Sequence, residues 1–434
     1  MTLKRLTCSV HALLQRRCQI TNINNTGLQQ TPCTGSVRKP GALIARSYYG
    51  AARSTDQGDN GSVLVRTVDL RSDTVTKPGP AMRRAMAEAE VGDNVYGEDP
   101  TVNELQRQAA QLFGMEDALF VPSGTMSNLI AVMSHCRERG EEVILGEKSH
   151  LHIYEQGGTA QCAGVHSCTV RNNADGTFNL EEVESKIRHG YPDSHYPRTR
   201  LIGVENTHNI QGGRVLPLAF LKELRGLADR YGLVVHMDGA RLMNAAVALS
   251  VRPSDILQHC DSVTVCLSKG LGAPVGSLLA GRREFVQRAV RARKVLGGGM
   301  RQAGILAAAG ILALTDMVDR LKDDHRNAKT FARALLQPEF PLGCVDLSAV
   351  ETNILRFRMQ QPGLTPQEFC TRMEEVTPGE VESLGQGVRV LMFPHVEGSV
   401  RAVWHLDVSE KDTQVAILKL NYITQKYREE RQSA

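Results

Sequence analysis

The chain has 434 residues, 41% of them hydrophobic and 23% charged, which fits two or three globular domains and excludes a wholly disordered protein. The formal net charge is +4, but residues 1–55 carry eight basic residues and no acidic one, leaving 43 basic and 47 acidic residues elsewhere. The rest of the chain is therefore mildly acidic, which argues against a nucleic-acid-binding protein.

The sequence predicts neither a membrane span nor a disulfide framework. The longest apolar run, residues 303–314, is well short of the roughly 20 residues that a transmembrane helix needs. The ten cysteines are irregularly spaced and include no CxxC pair, a pattern that favours reduced thiols inside a cell. No metal site is predicted.

The first 63 residues have the composition of a leader. An acid-free, arginine-rich segment is typical of a mitochondrial transit peptide, and residues 3–17 can form a short basic amphipathic helix. The segment lacks the continuous apolar core of a secretory signal peptide, which argues against secretion. We predict that residues 1–63 direct the protein to mitochondria and that the fold begins near residue 64. The alternative is a disordered basic tail on a cytoplasmic protein.

Residues 64–315 read as alternating strands and helices. Short β-rich runs are present at residues 118–122, 142–145, 200–205, 233–236 and 261–266. Amphipathic or apolar helical patterns occupy residues 180–187, 218–230, 284–295 and 302–314. This alternation predicts an α/β domain, with a mostly parallel sheet covered by helices.

Residues 316–434 have a different character. A charged helix is predicted at 317–336, followed by strands at 353–359 and 388–393, a segment at 399–408 and a final helix. We predict that this part is a second, smaller α+β domain.

In an open α/β sheet, ligands bind beyond the carboxyl ends of the strands. The residues that follow the predicted strands include Ser123-Gly124-Thr125, residues 205–208, residues 238–241 and Ser268-Lys269-Gly270. This edge of the sheet therefore combines a carboxylate, two cations, a histidine and a small-residue turn.

The small-residue turn is a candidate anion site. Gly124 and Thr125 would open a helix directly after a strand, and the free N–H groups of a helix N-terminus attract phosphate. An ordinary helix cap explains the same residues. The chain has no Walker motif, and the glycines of residues 270–276 do not fit GxGxxG, so a nucleotide or nicotinamide site is not predicted.

Lys269 ends an apolar strand among small residues that leave room for a bulky group. A lysine amine in such a place is a candidate Schiff-base nucleophile. Asp238 ends a preceding strand, where a carboxylate can keep the pyridine nitrogen of pyridoxal phosphate protonated.

These residues lie in segments that resemble the low-specificity L-threonine aldolases, pyridoxal-phosphate enzymes of fold type I. The resemblance extends from about residue 68 to residue 408, roughly four fifths of the chain. The matching segments are LRSDTVT (70–76), VGDNVYGEDPTVN (91–103), PSGTMSN (122–128), ENTHN (205–209), HMDGAR (236–241), LSKGLGAPVG (267–276), GGGMRQ (297–302) and HLDV (405–408).

The resemblance implies a role for each candidate residue. For the cofactor, Lys269 would bind it covalently, Asp238 would pair with its ring nitrogen, His150 would stack on its ring, and Gly124 and Thr125 would bind its phosphate. Further cofactor contacts are implied for Arg241, and for Lys294 and Arg301 of a neighbouring subunit. For the substrate, its carboxylate would be held by Ser72, Arg241 and Arg401, with Tyr96 reaching in from the neighbour.

The implied activity is retro-aldol cleavage of L-threonine or L-allo-threonine to glycine and acetaldehyde, in a homodimer or homotetramer with shared sites. The catalytic residues would be Lys269, with His150 and His208 as candidates for the base that deprotonates the substrate hydroxyl. Because one fold hosts many chemistries, alternatives stay open: a β-eliminating lyase, an aminotransferase, a serine hydroxymethyltransferase or a non-catalytic cofactor-binding protein.

Overall fold

The computed structural model describes residues 65–189, 193–336 and 341–433; the predicted leader, residues 1–63, lies outside the described residues. The strands are β1 (Val65–Asp69), β2 (Asp117–Val121), β3 (Glu141–Gly146), β4 (His166–Val170), β5 (Arg198–Glu205), β6 (Val234–Asp238), β7 (Ser262–Cys266), β8 (Ser277–Gly281), β9 (Gly343–Cys344), β10 (Ile354–Met359), β11 (Gly387–Leu391), β12 (Phe393–His395) and β13 (Ser399–Val403).

The helices are α1 (Pro80–Ala87), α2 (Pro100–Phe113), α3 (Gly124–His135), α4 (His150–Ile153), α5 (Gly158–Gln161), α6 (Leu180–Lys186), α7 (Leu218–Tyr231), α8 (Leu242–Leu249), α9 (Pro253–Leu257), α10 (Arg283–Val295), α11 (Gly304–Thr315), α12 (Leu321–Leu335), α13 (Pro366–Glu374), α14 (Pro378–Leu384) and α15 (Glu410–Ser433). Measured by length and hydropathy together, none of these helices could cross a membrane.

The predicted mostly parallel sheet is confirmed. Seven strands lie in the order β2-β8-β7-β6-β5-β3-β4, and β8 alone runs against its neighbours β7 and β2. All five strands predicted for this region are present. Strands β4 and β8 had been missed, because half-buried β4 lacks a clear alternation and apolar β8 follows a run of glycines.

Helices cover both faces of this sheet. Because successive strand side chains point to opposite faces, Leu278 and Phe120 pack in the cluster formed with helices such as α2 and α11. Their neighbours Leu279 and Leu119 pack in the cluster formed with α3 and α10. The sheet is therefore buried on both sides, as a parallel sheet requires.

The C-terminal part has its own sheet and core. Strands β12, β13, β10 and β9 form an antiparallel sheet, and Trp404, Phe331 and Phe357 are buried together beside it. Strand β1 pairs in parallel with β11, and Val68 belongs to this C-terminal core. Described residues from 65 onward lie in one compact unit, so the division into residues 64–315 and 316–434 stays a prediction.

Candidate active site

Three candidate residues, Asp238, His150 and Lys269, lie where the parallel strands end, together with Glu205. Asp238 is the last residue of β6 and Glu205 is the last residue of β5. His150 follows β3 and begins α4, while Lys269 follows β7. The parallel register aligns Glu205 with Asp238, so both acids lie at the carboxyl edge of the sheet, where ligands of this architecture bind.

Asp238 is held by two hydrogen-bond donors. Its Oδ2 accepts a hydrogen bond of 2.9 Å from Nδ2 of Asn128, and its Oδ1 accepts one of 3.0 Å from the backbone N–H of Ala240. Only 5% of Asp238 is exposed. The side chain is therefore fixed in one orientation, as the partner of a ring nitrogen must be.

His150 is oriented by two acids. Its Nδ1 lies 3.0 Å from Oε1 of Glu155, and its backbone N–H donates to Oε2 of Glu205 at 2.7 Å. Burial opposes protonation of the ring, but the Glu155 hydrogen bond and the charges of Asp238 and Glu205 outweigh it and raise the pKa of His150. Burial also raises the pKa of Glu155, and the charge of Asp238 adds to that rise.

His150, Glu155 and Asp238 form a compact group. One polar atom from each lies within 4.8 Å of the others, and the Asn128 amide donates to both carboxylates, at 2.8 Å to Glu155 and 2.9 Å to Asp238. This spacing would also suit a metal ion. Because the Asn128 amide donates to both carboxylates, the two acids are held in a fixed arrangement beside the imidazole.

His208 lies in a loop that, like the loop of His150, is hydrogen-bonded to Glu205. Oε1 of Glu205 accepts a hydrogen bond of 2.9 Å from the backbone N–H of Asn209, so one carboxylate fixes the loops of both histidines. His208 is 1% exposed, and among the described residues its Nε2 has no hydrogen-bond partner. A buried polar atom without a protein partner is a candidate contact for a ligand group or an ordered water.

Lys269 lies beside a buried acid that the sequence analysis had not singled out. The charges of Lys269 and Arg401 both act on Asp73, and the carbonyl of Lys269 accepts a hydrogen bond of 3.2 Å from the Thr76 hydroxyl. Asp73 is fully buried, which alone would raise its pKa, but the Arg241 guanidinium outweighs burial and holds the pKa of Asp73 below its usual value. The amine of Lys269 forms no ion pair with any described residue.

Arg241 is paired with a buried acid. The resemblance implied that this residue contributes to binding the cofactor and the substrate carboxylate. In the structure, Nε and Nη2 of Arg241 donate paired hydrogen bonds to the carboxylate of Asp73, at 2.8 and 2.6 Å. A buried arginine needs such a partner, and the Asp73 pair fixes the orientation of the guanidinium.

The other two carboxylate-binding candidates lie next to this pair. Ser72 precedes Asp73, and its Oγ accepts a hydrogen bond of 2.9 Å from the Thr74 hydroxyl. Arg401, on β13, is 6% exposed and donates from Nη1 to the carbonyl of Arg71 at 3.2 Å. The segment 71–73 thus brings together Ser72, Arg241 and Arg401, which lie far apart in the sequence.

Gly124 and Thr125 form the first turn of α3. Ser123 caps this helix, since its Oγ accepts from the backbone N–H of Met126 at 3.2 Å. A Cβ atom at Gly124 would lie 2.7 Å from Sγ of Cys266, at the end of β7. The close approach explains the glycine and places a helix N-terminus suited to phosphate beside the strand that leads to Lys269.

The structure places Tyr96, Lys294 and Arg301 apart from this group. Arg301 forms an ion pair of 2.8 Å with Asp93 and lies 5.8 Å from the Tyr96 ring centroid. Tyr96 and Lys294 line one cavity of 840 Å³. None of the described hydrogen bonds or ion pairs joins them to Lys269, Asp238 or His150.

Sequence reasoning missed four supporting residues. Asp73, Asn128 and Glu205 stood inside recognised segments without a role, and Glu155 lay outside every recognised segment. Each supports a candidate residue through a contact that the fold creates; Asn128, for example, is 110 positions from Asp238. Only their buried polar character could have flagged them.

These residues fit pyridoxal phosphate. The site offers the fixed carboxylate of Asp238 for a pyridine nitrogen and the imidazole of His150 beside it. It also offers the amine of Lys269 at a strand end and the N-terminus of α3 for a phosphate. The buried His208 Nε2 without a partner offers a further polar contact. Each chemical group of the cofactor therefore has a counterpart among the described residues.

Comparison with known proteins agrees with this assignment. The beta-eliminating lyase family matches residues 69–360. A probable low-specificity L-threonine aldolase of Arabidopsis thaliana is 46% identical over 354 residues, covering 81% of this chain and 96% of its own length. The low specificity L-threonine aldolase of Escherichia coli K12 is 45% identical over 346 residues, covering 79% and 95%.

Solved structures share the fold. That of a threonine aldolase from Leishmania major superposes with a TM-score of 0.66 at 20% identity, covering 82% of this chain and 99% of its own. A putative aromatic amino acid beta-eliminating lyase/threonine aldolase from Exiguobacterium gives a TM-score of 0.64 at 21% identity, covering 80% and 96%. The fold is that of type I pyridoxal-phosphate enzymes, and the chain belongs to the beta-eliminating lyase family and, within it, to the low-specificity L-threonine aldolases.

Proposed function

We propose that the protein cleaves L-threonine and L-allo-threonine to glycine and acetaldehyde, with pyridoxal phosphate as its cofactor. One observation carries this proposal: in a chain of this family, Asp238, His150 and Lys269 all lie at the carboxyl edge of the sheet. Lys269 would hold the cofactor covalently and Asp238 would hold its ring nitrogen. When bound, the cofactor accepts the electron pair of the bond broken at the substrate Cα.

The chain's own residues select which bond breaks. Ser72 and Arg401 would hold the substrate carboxylate, since both lie at the segment beside Asp73 and a guanidinium matches a carboxylate in geometry and charge. Arg241, fixed by Asp73, would then line the site with its remaining nitrogen. With the carboxylate fixed, the Cα–Cβ bond can be set perpendicular to the cofactor ring, which is the alignment that cleavage requires.

Release of acetaldehyde requires that the β-hydroxyl lose a proton. His150 and His208 are the candidates to accept it. Oε1 of Glu155 would accept a hydrogen bond from Nδ1–H of His150, which leaves Nε2 of the neutral ring as a proton acceptor. His208 presents Nε2 without a protein partner. A positioned base contributes roughly 10²–10⁴-fold to the rate.

The test is to measure the products formed by the purified holoenzyme. With L-threonine and no keto acid or folate, glycine and acetaldehyde should form in equal amounts, whereas D-threonine should give neither. A requirement for a keto acid would instead indicate an aminotransferase, and a requirement for folate a hydroxymethyltransferase. Ammonia and a keto acid as products would indicate β-elimination. Running L-allo-threonine and L-serine alongside defines the substrate range.

We infer also that the active unit is a homodimer or homotetramer whose sites are shared between subunits. Tyr96 and Val295 are each 74% exposed, and the 840 Å³ cavity beside them is lined largely by apolar surface. Exposed apolar area of this kind is typical of an interface, and symmetric dimers are the commonest assembly. A partner would bring Tyr96, Lys294 and Arg301 to the other subunit's site.

Mixing two inactive variants tests this arrangement. Lys269→Ala and Arg301→Ala subunits should together regain activity, because one site of a hybrid dimer contains both native residues. Homogeneous samples of each variant serve as controls. An active monomer in analytical ultracentrifugation would contradict the proposal.

We propose a mitochondrial location as well, supported by the acid-free, arginine-rich composition of residues 1–55. A fluorescent protein that carries only residues 1–63 should enter mitochondria. A fusion that stays in the cytoplasm with residues 1–63 intact would favour the cytoplasmic alternative.

A further inference from the structure

A polar cavity lies at the amino edge of the seven-stranded sheet, opposite the edge that carries the candidate active site. It has a volume of 240 Å³ and is lined by residues at the amino ends of β5, β6 and β7 and at the end of α3. Its four cations are Arg137, Arg200, Arg282 and Arg288. The volume is below the roughly 300–1,000 Å³ of a typical drug-sized ligand site, so a ligand here would be small.

The arginines of this pocket, which we term the amino-edge pocket, have few protein partners. Among the described residues, the guanidinium groups of Arg137, Arg200 and Arg282 form no hydrogen bond or ion pair, and Arg288 donates only to the carbonyl of Ser134, at 3.2 Å. Burial and the charges of Arg137 and Arg200 lower the pKa of Arg288. The pocket thus holds an excess of mutually repelling positive charge.

Two acids line the same pocket, but they do not cancel this charge. Asp261 is already bound to Arg225 at 2.7 Å, which lies outside the lining, and Glu284 forms no ion pair with a described residue. Four arginines therefore face one uncommitted carboxylate.

Two neutral features also favour an anion. Ser134 is 2% exposed and its Oγ has no hydrogen-bond partner among the described residues, so a buried hydroxyl is available to a ligand. Helix α10 begins at Arg283 beside the pocket, and its N-cap residue, Arg282, makes no side-chain cap. The first backbone N–H of this helix, that of Arg283, already donates to Oε2 of Glu116 at 2.9 Å, so the helix end contributes little and the buried Ser134 hydroxyl is the stronger of the two features.

A buried chain of hydrogen bonds leads from this pocket to the candidate active site. His135 lines the pocket and its Nε2 lies 2.7 Å from Oγ of Ser262. The same Oγ lies 2.8 Å from Nδ1 of His236, whose Nε2 lies 3.2 Å from Oδ1 of Asn128. Asn128 then donates to Asp238. All five residues are buried.

The hydrogen bonds in this series all run in one donor-to-acceptor direction, from His135 toward His236 and from His236 toward Asn128. Two carboxylates accept from the Asn128 amide, so its Oδ1 must accept from His236 Nε2–H. Burial lowers the pKa of His236 to about 4 and the pKa of His135 well below its usual value, so both rings are neutral at pH 7. A neutral imidazole has one donor; Nδ1 of His236 therefore accepts from Ser262, which accepts from His135.

We propose that the amino-edge pocket binds a small phosphate-bearing anion and that the buried series of hydrogen bonds couples the occupancy of the pocket to Asp238. An anion beside His135 would offset the arginine charges that act on the ring. The N–H of His135 would then be a weaker donor to Ser262, because less positive charge would surround the ring, and every later hydrogen bond of the series would adjust, ending at the carboxylate that faces the cofactor nitrogen. His135, Ser262 and His236 are positioning residues in this scheme, since none touches the cofactor site itself.

Calorimetric titration of the holoenzyme with inorganic phosphate, in a buffer free of other multivalent anions, tests the site. Wild-type protein should bind saturably. The double variant Arg200→Gln/Arg288→Gln should bind roughly a hundredfold more weakly, because each charge-assisted hydrogen bond contributes about tenfold. Arg283→Gln, on the same helix but outside the lining, is the matched control and should bind as wild type does. Titration with a phosphate monoester distinguishes free phosphate from a phosphorylated metabolite by affinity.

Absence of saturable binding to wild-type protein, or equal binding by the double variant, would overturn the site. The coupling has its own test, which rests on the proposed cofactor. Saturating phosphate should change the visible absorbance of the bound cofactor in wild type and in Ser262→Thr, which keeps the hydroxyl. It should leave the absorbance unchanged in Ser262→Ala, although that variant still binds phosphate. A wild-type spectrum that is unaffected by saturating phosphate would refute the coupling.

Discussion

The two edges of the seven-stranded sheet differ in how their charged side chains are paired. At the carboxyl edge, charged groups are matched: Asp73 pairs with Arg241, and Glu155 pairs with His150. At the amino edge, four arginines line one pocket with little acidic compensation. Fixed pairs hold side chains in one orientation, as catalysis needs, whereas uncompensated charge attracts a counter-ion. The carboxyl edge is therefore suited to holding side chains in fixed orientations, and the amino edge to binding an anion.

Replacing the histidine that Glu155 orients should have the largest effect. His150→Phe keeps a flat ring beside the cofactor but removes the proton acceptor, so kcat should fall by roughly 10²–10⁴-fold while the cofactor stays bound. Steady-state rates and cofactor absorbance measure the two properties. His208→Phe is the companion variant. If His150→Phe were fully active, the base would have to be sought at His208.

The paired charges should also carry stability. Asp73→Asn leaves the buried Arg241 guanidinium without its counter-charge and should lower the free energy of unfolding by about 3–5 kcal/mol, as measured by urea denaturation. The exposed Glu104–Arg107 pair is the control, and Glu104→Gln should change stability very little. Because Arg241 holds the pKa of Asp73 below its usual value, this stabilisation is present above the usual carboxyl range and is lost as pH falls through the lowered value.

A subtler variant addresses how orientation and charge combine at His150. Glu155→Gln removes a charge that raises the pKa of His150, so that pKa should fall. Activity that depends on the neutral ring should then extend to lower pH, moving the acidic limb of the kcat/KM profile down. NMR titration of the imidazole and a pH–rate profile would measure this. Glu147→Gln, an exposed acid nearby, should leave the profile in place; an identical shift in both variants would assign the effect to general electrostatics.

The smallest effect is expected at the amino edge. Arg200→Gln relieves repulsion with Arg288 and should raise the free energy of unfolding by ~0.3 kcal/mol at low ionic strength. The gain should vanish in high salt, because salt screens partly exposed charges. Urea denaturation at two salt concentrations measures it. Destabilisation by Arg200→Gln at low salt would show that the arginine makes a favourable contact.

Much of the fold was predictable because the signals were local. The strands ending at Glu205 and Asp238 are apolar runs bounded by polar residues, and helix periodicity marked α7 and α10. The edge of the sheet that carries Lys269, Asp238 and His208 followed from topology alone. The segments shared with the family then supplied a role for each of these residues.

The contacts of the site were not predictable, because they join distant positions. The Asp73–Arg241 pair spans 168 positions and the Asn128–Asp238 bond spans 110. The resemblance suggested a substrate-binding role for Arg241, but only the folded chain shows that a buried acid pairs with its guanidinium. Similarly, the four arginines of the amino-edge pocket come from three separate segments and form no pattern along the chain.

The central claim is that the carboxyl edge is the active site and that Lys269 anchors the cofactor there. Borohydride reduction of the holoenzyme followed by peptide mapping tests it most directly. We expect one pyridoxyl group per chain, on Lys269, and no label in Lys269→Ala, with Lys294→Ala labelled as in wild type. A pyridoxyl group mapped to any other lysine of the wild-type protein would contradict it.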